Sequence, residues 1–170
     1  MRVGSRWKLL FACMFFAIVQ PAPSAIALDR VEIGSLRIVS PDGQETVISE
    51  DELLGLPQSQ ITTSTAWTEG THLFEGISLG KILESAGINP RDHPDATIRA
   101  IAINDYEVDF PLADIARYDV LIAAFMDGER LSVSDKGPYW VVYPRDDFYE
   151  LRDSRFDHRW AWQLQELQIR

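Results

Sequence analysis

Aromatic and polar side chains crowd together in the stretch from Met126 to Asp147, MDGERLSVSDKGPYWVVYPRDD. Asp135 and Lys136 precede Gly137-Pro138, a dipeptide typical of a sharp turn into a strand. Three aromatic residues follow the turn, and they are Tyr139, Trp140 and Tyr143. Carboxylate and ammonium groups beside rings with polar edges favour a flat ligand that forms hydrogen bonds. We therefore treat this stretch as part of a candidate binding site.

Other aromatic residues could serve as stacking surfaces for such a ligand. The candidate set is Trp67, Tyr106, Trp140, Tyr143, Trp160 and Trp162. Stacking on an aromatic side chain contributes roughly 1–3 kcal/mol to the binding of a heterocyclic base. For each tryptophan the alternative is a place in the hydrophobic core.

Charged and amide side chains near these rings could bind the polar edge of the ligand. Asp105 and Asp135 are candidates to accept hydrogen bonds from it, with Asn104 in support, while Lys136 and Arg145 could bind its oxygen atoms. The alternatives are local. Asp and Asn in turns commonly bind their own backbone, and the two cations could form ion pairs with neighbouring carboxylates.

The other common site chemistries lack their sequence patterns. His72, His93 and His158 are isolated from one another and do not have the spacing of a zinc site. There is no nucleophile elbow, phosphate loop or dinucleotide fingerprint. The three histidines are therefore expected at the surface.

The first 27 residues have the pattern of a cleavable secretory signal peptide. Basic residues among the first eight positions precede an apolar run from Leu9 to Val19, and Ala25-Ile26-Ala27 offers small residues for cleavage. The run is too short to span a bilayer as a helix of the mature protein. We expect a periplasmic protein whose one domain covers residues 28–170.

Removing this leader changes the charge and the cysteine content. It takes three of the 16 basic residues and none of the 26 acidic ones, so the formal charge changes from −10 to −13. It also takes Cys13, the single cysteine of the chain, which excludes disulfides in residues 28–170. An acidic surface of this size argues against binding to nucleic acid or to anionic membranes.

Hydrophobic periodicity and turn residues predict a mixed α+β domain rich in short strands. The predicted strands are 31–39, 45–48, 60–66, 97–103, 106–110, 120–126, 140–143 and 160–169, the last with a bulge near Glu166. Ser49 and Glu52 form a capping box for a short helix, Ser78–Ala86 is a second helix, and Pro111–Arg117 is a helical turn. Asp146–Asp157 shows no period and is expected to be irregular.

Four segments in this order resemble the molybdopterin-binding domain of the sulfite oxidase family. They are Phe74–Leu79 with the following Ile82-Leu83 and Ala86-Gly87, Asn104–Tyr106 with Phe110–Leu112, Met126–Leu131, and Gly137–Pro144. The resemblance implies the irregular, mixed β-rich single-domain fold of that family. It also implies a cleft that holds a pterin.

Two positions depart from the family pattern. The cysteine that binds molybdenum in the family falls at about Thr63, and a threonine hydroxyl is a poor ligand for a metal that selects soft thiolates. The arginine of the family's Gly-x-Pro-Leu-Arg segment is replaced, because this chain has Pro138-Tyr139-Trp140. We infer a site that retains a pterin and has lost the metal and the phosphate, in a protein that is not an enzyme. A domain that binds nothing is the alternative.

The resemblance extends to small, exported, cysteine-free pterin-binding regulators of the PruR type, through Asn104–Tyr106, Asp135–Pro138 and Trp162–Leu164. It implies a sensor of a metal-free, reduced pterin that regulates a membrane-bound cyclic-di-GMP cyclase or phosphodiesterase through its periplasmic domain, and so affects biofilm formation. The alternatives are a molybdenum-cofactor-dependent oxidoreductase and a protein interaction domain without a small ligand. The predicted ligand-binding residues are Thr63, Trp67, Asn104, Asp105, Tyr106, Asp135, Lys136, Trp140, Tyr143, Arg145, Trp160 and Trp162.

Overall fold

The computed structural model describes residues 32–170, so the expected leader and its cleavage point lie outside the described residues. The strands in this range are β1 (Leu36–Val39), β2 (Glu45–Ile48), β3 (Ser59–Ser64), β4 (Thr71–Ser78), β5 (Thr97–Ala102), β6 (Glu107–Pro111), β7 (Leu121–Met126), β8 (Glu129–Arg130), β9 (Trp140–Val142) and β10 (Leu164–Ile169). The α-helices are α1 (Glu50–Gly55), α2 (Leu79–Ser85) and α3 (Asp114–Tyr118). Short 3-10 helices cover Pro90–Asp92, Tyr149–Arg152 and Ser154–Arg159.

The strands form two sheets. In the first the order is β2-β1-β10-β5-β6, and the pairing is antiparallel except between β1 and β10. In the second the order is β3-β4-β7-β8, and β9 pairs with the part of β7 that β8 leaves free. One hydrophobic cluster takes side chains from both sheets, so the two sheets share a core.

Local sequence signals account for several of these elements. Ser49 Oγ accepts a hydrogen bond from the Glu52 N–H, and the Glu52 carboxylate accepts one from the Ser49 N–H, so the predicted capping box is confirmed. Asp127 and Gly128 have φ angles of 53° and 80°, the left-handed conformation that a tight hairpin turn requires. The prediction of a mixed, strand-rich single domain with few helices is also confirmed.

Other elements differ from the prediction. Strand β4 was not predicted, because Gly76 interrupts its apolar pattern; a Cβ there would lie only 2.1 Å from the Ile122 carbonyl oxygen of β7, so this close approach requires glycine. Pro111 belongs to the end of β6, and the helix begins three residues later at Asp114. The final strand begins at Leu164, and its register shifts between Leu164 and Glu166, close to the predicted bulge.

The late start of β10 matters for the site. Trp160 and Trp162 lie before the strand, in a segment without regular secondary structure that follows the 3-10 helix Ser154–Arg159. The backbone of this segment is held by β9 and its flanks, since the Val141 N–H donates to the Ala161 carbonyl at 2.8 Å and the Leu164 N–H to the Tyr139 carbonyl at 3.0 Å.

Within residues 32–170, no helix has the length and apolar character needed to cross a bilayer.

Candidate functional site

A cavity of about 310 Å³, which we call the tryptophan cleft, opens where three chain segments meet. Its aromatic lining residues are Trp67, Tyr106, Trp160 and Trp162. Its polar lining residues are Asn104, Asp157 and His158, and the small residues Ala102 and Ala161 complete it. The volume lies at the lower end of the range of small-molecule sites, roughly 300–1,000 Å³.

Trp67 is presented by the loop between β3 and β4. Thr65 fixes this loop, because its buried hydroxyl oxygen accepts hydrogen bonds from the N–H groups of Trp67 and Thr68, each at 3.0 Å. The Trp67 ring meets Trp162 edge to face at a centroid distance of 5.4 Å, and it is tilted against Trp160 at 6.1 Å. The ring remains 36% exposed, so one of its surfaces stays available at the cleft.

Asn104 and Tyr106 come from the turn between β5 and β6. The Asn104 side-chain oxygen accepts the Tyr106 N–H at 3.2 Å, and Asp105 between them has a φ of 63°. This turn places the Tyr106 ring at the rim, where 52% of the residue is exposed. The ring is therefore accessible to a ligand at the rim of the cleft.

Two polar atoms of the cleft residues lack hydrogen-bond partners. Asp157 Oδ1 and Trp160 Nε1 are both buried, and neither has a partner among the residues that the structure describes. The nearest cation to Asp157 Oδ1 is Arg145, whose Nη2 lies 4.0 Å away, beyond hydrogen-bonding distance. A buried polar group without a hydrogen-bond partner costs about 1–3 kcal/mol. Asp157 and Trp160 both line the tryptophan cleft, so a carboxylate and an indole N–H lie in its wall, beneath the accessible surface.

The structure brings together five of the predicted site residues, which are Trp67, Asn104, Tyr106, Trp160 and Trp162. Trp140 and Tyr143 are instead fully buried, which corrects the expectation that their rings could stack on a ligand. Trp140 packs edge to face on Phe74, and the Tyr143 hydroxyl donates to Asp114 at 2.9 Å. The reason is that β9 pairs with β7 in the interior, so every residue of β9 is buried.

The predicted polar contacts also lie elsewhere. Asp105 is exposed in its turn, and neither it nor Asp135 lines the cleft. Lys136 donates to both Asp135 carboxylate oxygens, at 2.8 and 3.0 Å, and its ammonium lies 5.6 Å from the Trp140 ring centroid. Arg145 binds the carbonyl oxygens of Leu151 and Arg152, so its guanidinium holds the 3-10 segment. Asp135, Lys136 and Arg145 therefore have local partners in the fold, while Asp105 is exposed outside the cleft.

Thr63 lies away from the cleft and is completely buried in β3. Its hydroxyl oxygen accepts the Asp146 N–H at 3.1 Å and donates to the Ser64 carbonyl at 3.3 Å. The Asp146 carboxylate in turn accepts the N–H and hydroxyl of Ser64, both at 2.7 Å, and these bonds hold the pKa of Asp146 below its usual value. The position that resembles the family's thiolate is therefore occupied by a hydroxyl engaged in backbone contacts.

The donor set does not fit a molybdenum ion bound by the protein. No cysteine occurs in residues 32–170. The same residues contain no group of three or more His, Cys, Asp or Glu side chains that could hold a metal. A molybdenum centre would lack its soft protein ligand here.

Asp157 and His158 were not predicted as site residues. They lie at the end of the irregular segment 146–157 and just after it, where periodicity gives no information about side-chain direction. The one available signal was position, because Asp157 and His158 precede Trp160 and Trp162 within a few residues.

Comparison with known proteins identifies the fold. The family model described as the oxidoreductase molybdopterin binding domain matches residues 36–149. The sulfane dehydrogenase SoxCD from Paracoccus pantotrophus has a similar solved structure, with a TM-score of 0.60 and 20% sequence identity over 79% of this chain. The match covers 37% of the SoxCD chain, so this chain spans little more than a third of its length. No curated protein matches the sequence.

Proposed function

Because this chain belongs to the oxidoreductase molybdopterin-binding domain family, we propose that it binds a reduced, metal-free pterin in the tryptophan cleft and acts as a binding protein without catalysing a reaction. The carrying observation is that three tryptophans and a tyrosine line one cavity together with Asp157, and that Asp157 Oδ1 and Trp160 Nε1 are buried without a hydrogen bond within the described residues. Both groups belong to residues of one cavity large enough for a small heterocycle.

The pyrimidine edge of a pterin matches these two groups in type. It presents an amino group and a ring N–H as adjacent donors, followed by a carbonyl oxygen as acceptor. A carboxylate such as Asp157 accepts from the two donors, and an indole N–H such as that of Trp160 donates to the carbonyl. The charge-assisted bonds to the carboxylate contribute roughly 1.5–3 kcal/mol, in addition to stacking on the rings of Trp67 and Trp162.

The lining also favours a ligand without a phosphate. Among the described residues, neither lysine nor arginine lines the tryptophan cleft, and its one carboxylate is Asp157. A phosphate in the cleft would therefore find no lysine or arginine among the lining residues to bind it. Together with Thr63 at the thiolate position, this supports a pterin that carries neither molybdenum nor phosphate.

We further propose that the protein is exported and regulates a membrane-bound enzyme of cyclic-di-GMP metabolism through the periplasmic domain of that enzyme. The support is the leader pattern of residues 1–27 and the resemblance of Asn104–Tyr106, Asp135–Pro138 and Trp162–Leu164 to regulators of this kind. Such a sensor needs a surface that differs between its free and occupied states. The exposed rings of Trp67 and Tyr106 at the cleft rim meet this need.

The first experiment identifies the ligand. Protein purified from its native compartment is denatured, and the released small molecules are analysed by mass spectrometry and fluorescence. We expect a pterin without molybdenum. Thermal unfolding with and without 7,8-dihydroneopterin then measures binding, and about 2.7 kcal/mol of stabilisation is expected at a hundredfold excess over the dissociation constant. Identical melting with every pterin tested would contradict the proposal.

A molybdenum-dependent oxidoreductase is the second candidate. The family assignment and the structural similarity to SoxCD favour it, since SoxCD is a sulfane dehydrogenase. In that case the pterin itself would have to hold the metal, because Thr63 cannot replace a thiolate. Stoichiometric molybdenum in the purified protein would support this candidate and contradict a metal-free pterin.

A further inference from the structure

His72 has a hydrogen-bond acceptor at each of its two ring nitrogens. Its Nδ1 lies 2.6 Å from the Asp127 carboxylate in the turn between β7 and β8, and its Nε2 lies 2.9 Å from the Glu69 carbonyl oxygen. A carboxylate and a carbonyl can only accept. Since a neutral imidazole carries one N–H and an imidazolium carries two, both contacts are hydrogen bonds only when His72 is protonated.

One end of this arrangement is anchored firmly. Asp127 Oδ1 accepts the Leu73 N–H at 2.9 Å, and the Asp127 N–H donates to the Leu73 carbonyl at 2.8 Å. His72 itself pairs with Thr63 in the β3–β4 ladder. The carboxylate and the imidazole therefore keep their places in the second sheet.

The other end belongs to the loop that carries Trp67. Glu69 lies two residues after Trp67, between β3 and β4. Apart from the turn that Thr65 forms, the contacts that fix this loop are the packing of the Trp67 ring and the bond from His72 to Glu69. Loss of the Nε2 proton would leave a lone pair facing the Glu69 carbonyl and would free this part of the loop.

We propose that His72 is a positioning residue for Trp67, and that deprotonation of its ring releases the loop and weakens ligand binding in the tryptophan cleft. This inference rests on the proposed function of the cleft. His72 is not itself a lining residue of the cleft, so its effect on the ligand passes through the backbone of Glu69 and the ring of Trp67.

The direction of the pH effect follows from the groups that face the ring. They are the Asp127 carboxylate, the Glu69 carbonyl and the Phe74 ring, whose centroid is 6.3 Å away. The hydrogen bond to Asp127 raises the pKa of His72 above its usual value of 6.5, although partial desolvation acts in the opposite direction. The two hydrogen bonds of His72, to Asp127 and to Glu69, are therefore both present below pH 6.5, and the bond to Glu69 is lost as the pH rises through the raised pKa of His72.

Affinity measurements across pH provide the first test. Binding of 7,8-dihydroneopterin is followed by tryptophan fluorescence between pH 6 and 9 in a His158→Gln background, because His158 is the histidine that lines the cleft itself. We expect the dissociation constant to rise between about threefold and tenfold over this range, as expected for the loss of one net hydrogen bond. His72→Gln should bind more weakly and show no such dependence, whereas His93→Gln, far from the cleft lining, should behave as the parent protein.

A second variant protects the test against misfolding of His72→Gln. Asp127→Asn keeps an acceptor for the Leu73 N–H but removes the carboxylate that raises the pKa of His72. The midpoint of the affinity change should therefore move to lower pH. An unchanged midpoint would overturn the inference.

A measurement without ligand separates this inference from the proposed function. In ¹H–¹⁵N spectra, the indole N–H signal of Trp67, assigned with Trp67→Phe, should shift along the titration curve of His72 and stay fixed in His72→Gln. A Trp67 signal that ignores the titration of His72 would overturn the inference and leave the proposed function standing. If the signal follows His72 but no pterin binds at any pH, the positioning of Trp67 by His72 is supported and the proposed function fails.

Discussion

Two aspartates contact the segment 157–160 or belong to it, and their surroundings differ. Asp114 is buried, and its Oδ2 accepts hydrogen bonds from the Tyr143 hydroxyl at 2.9 Å and from Arg159 at 2.5 Å. Asp157 has one buried carboxylate oxygen without a partner, and Arg145 stays 4.0 Å from it. A carboxylate in the interior normally has its partners, as Asp114 does. The contrast separates a carboxylate whose hydrogen bonds are complete from one in the cleft wall that keeps an oxygen without a hydrogen bond.

The aromatic rings show the same contrast. Trp140 and Tyr143 pack in the core on all sides, and burial together with Asp114 raises the pKa of Tyr143 well above its usual value. Trp67 and Trp162 form an edge-to-face pair that stays partly exposed. The buried rings pack against the cleft lining from the core side, since Trp140 contacts both Trp160 and Trp162. The rings that fill the core and the rings that line the cleft are thus neighbouring but different residues. Mutation can separate their effects on stability and on binding.

Breaking the buried network should have the largest effect. Asp114→Ala leaves the Arg159 guanidinium and the Tyr143 hydroxyl buried without their acceptor, so we expect the free energy of unfolding to fall by about 3–5 kcal/mol. Chemical denaturation measures this loss. Asp114→Asn, which keeps an acceptor oxygen, should lose less. A loss below 1 kcal/mol in Asp114→Ala would show that the network is not structural.

Truncating one ring in each group tests the second contrast. Trp140→Ala should destabilise the fold by about 3–5 kcal/mol, because it leaves a large cavity in the core. Trp162→Ala should leave the protein folded and weaken pterin binding by about 1–3 kcal/mol, which raises the dissociation constant roughly fivefold to 150-fold. Denaturation and fluorescence titration of both variants provide the comparison. Unchanged affinity in Trp162→Ala would remove this ring from the site.

Asp157→Asn tests the unpaired carboxylate directly. We expect affinity for 7,8-dihydroneopterin to fall by about 1.5–3 kcal/mol, because the amide loses the charge and turns a donor towards the donors of the ligand. Stability without ligand should change little, since this oxygen forms no hydrogen bond and its ion pair with Arg145 is a long one of 4.0 Å. The matched control is Asp135→Asn, which alters an exposed carboxylate outside the cleft. Equal affinities of the two variants would contradict the role of Asp157.

The sequence predicted the elements whose signals are local. The capping box at Ser49 and Glu52, the turn at Asp127-Gly128 and helix α2 each depend on residues close together in the chain. Strand β4 was missed because Gly76 looks like an interruption in the local pattern. The strand requires glycine there, since the backbone of Ile122, 46 residues away in sequence, packs directly against it. Local pattern cannot show such a contact.

The site was predictable in part for the same reason. Tryptophan and tyrosine are large enough that their presence alone marks them as core or ligand contacts, and the sequence left this choice open. Trp140 lies in the core because β9 pairs with β7 in the interior. Trp162 lines the cleft because it lies before the start of β10. Asp157 is the last residue of the segment 146–157, which shows no sequence period, so its direction is set by the 3-10 helix Ser154–Arg159 and by the ion pair with Arg145, which only the folded chain shows.

Asp146, a third carboxylate, lies beside Thr63, the position that resembles the family's thiolate. Removing its partner should have the smallest effect on stability among these predictions. Asp146 resembles Asp114 in having its partners, but these are the N–H and hydroxyl of Ser64 in a partly exposed site. Because these bonds hold the pKa of Asp146 below 3.8, its contribution to stability is present above that pH and is lost as the pH falls through the lowered pKa. Ser64→Ala should therefore cost about 0.5–1.5 kcal/mol near neutral pH and less in acid. Denaturation at pH 7 and pH 3 measures the difference, and pterin affinity should not change, because neither residue lines the cleft. A drop in affinity would instead connect this position to the ligand and would weaken the separation between the structural and the binding carboxylates.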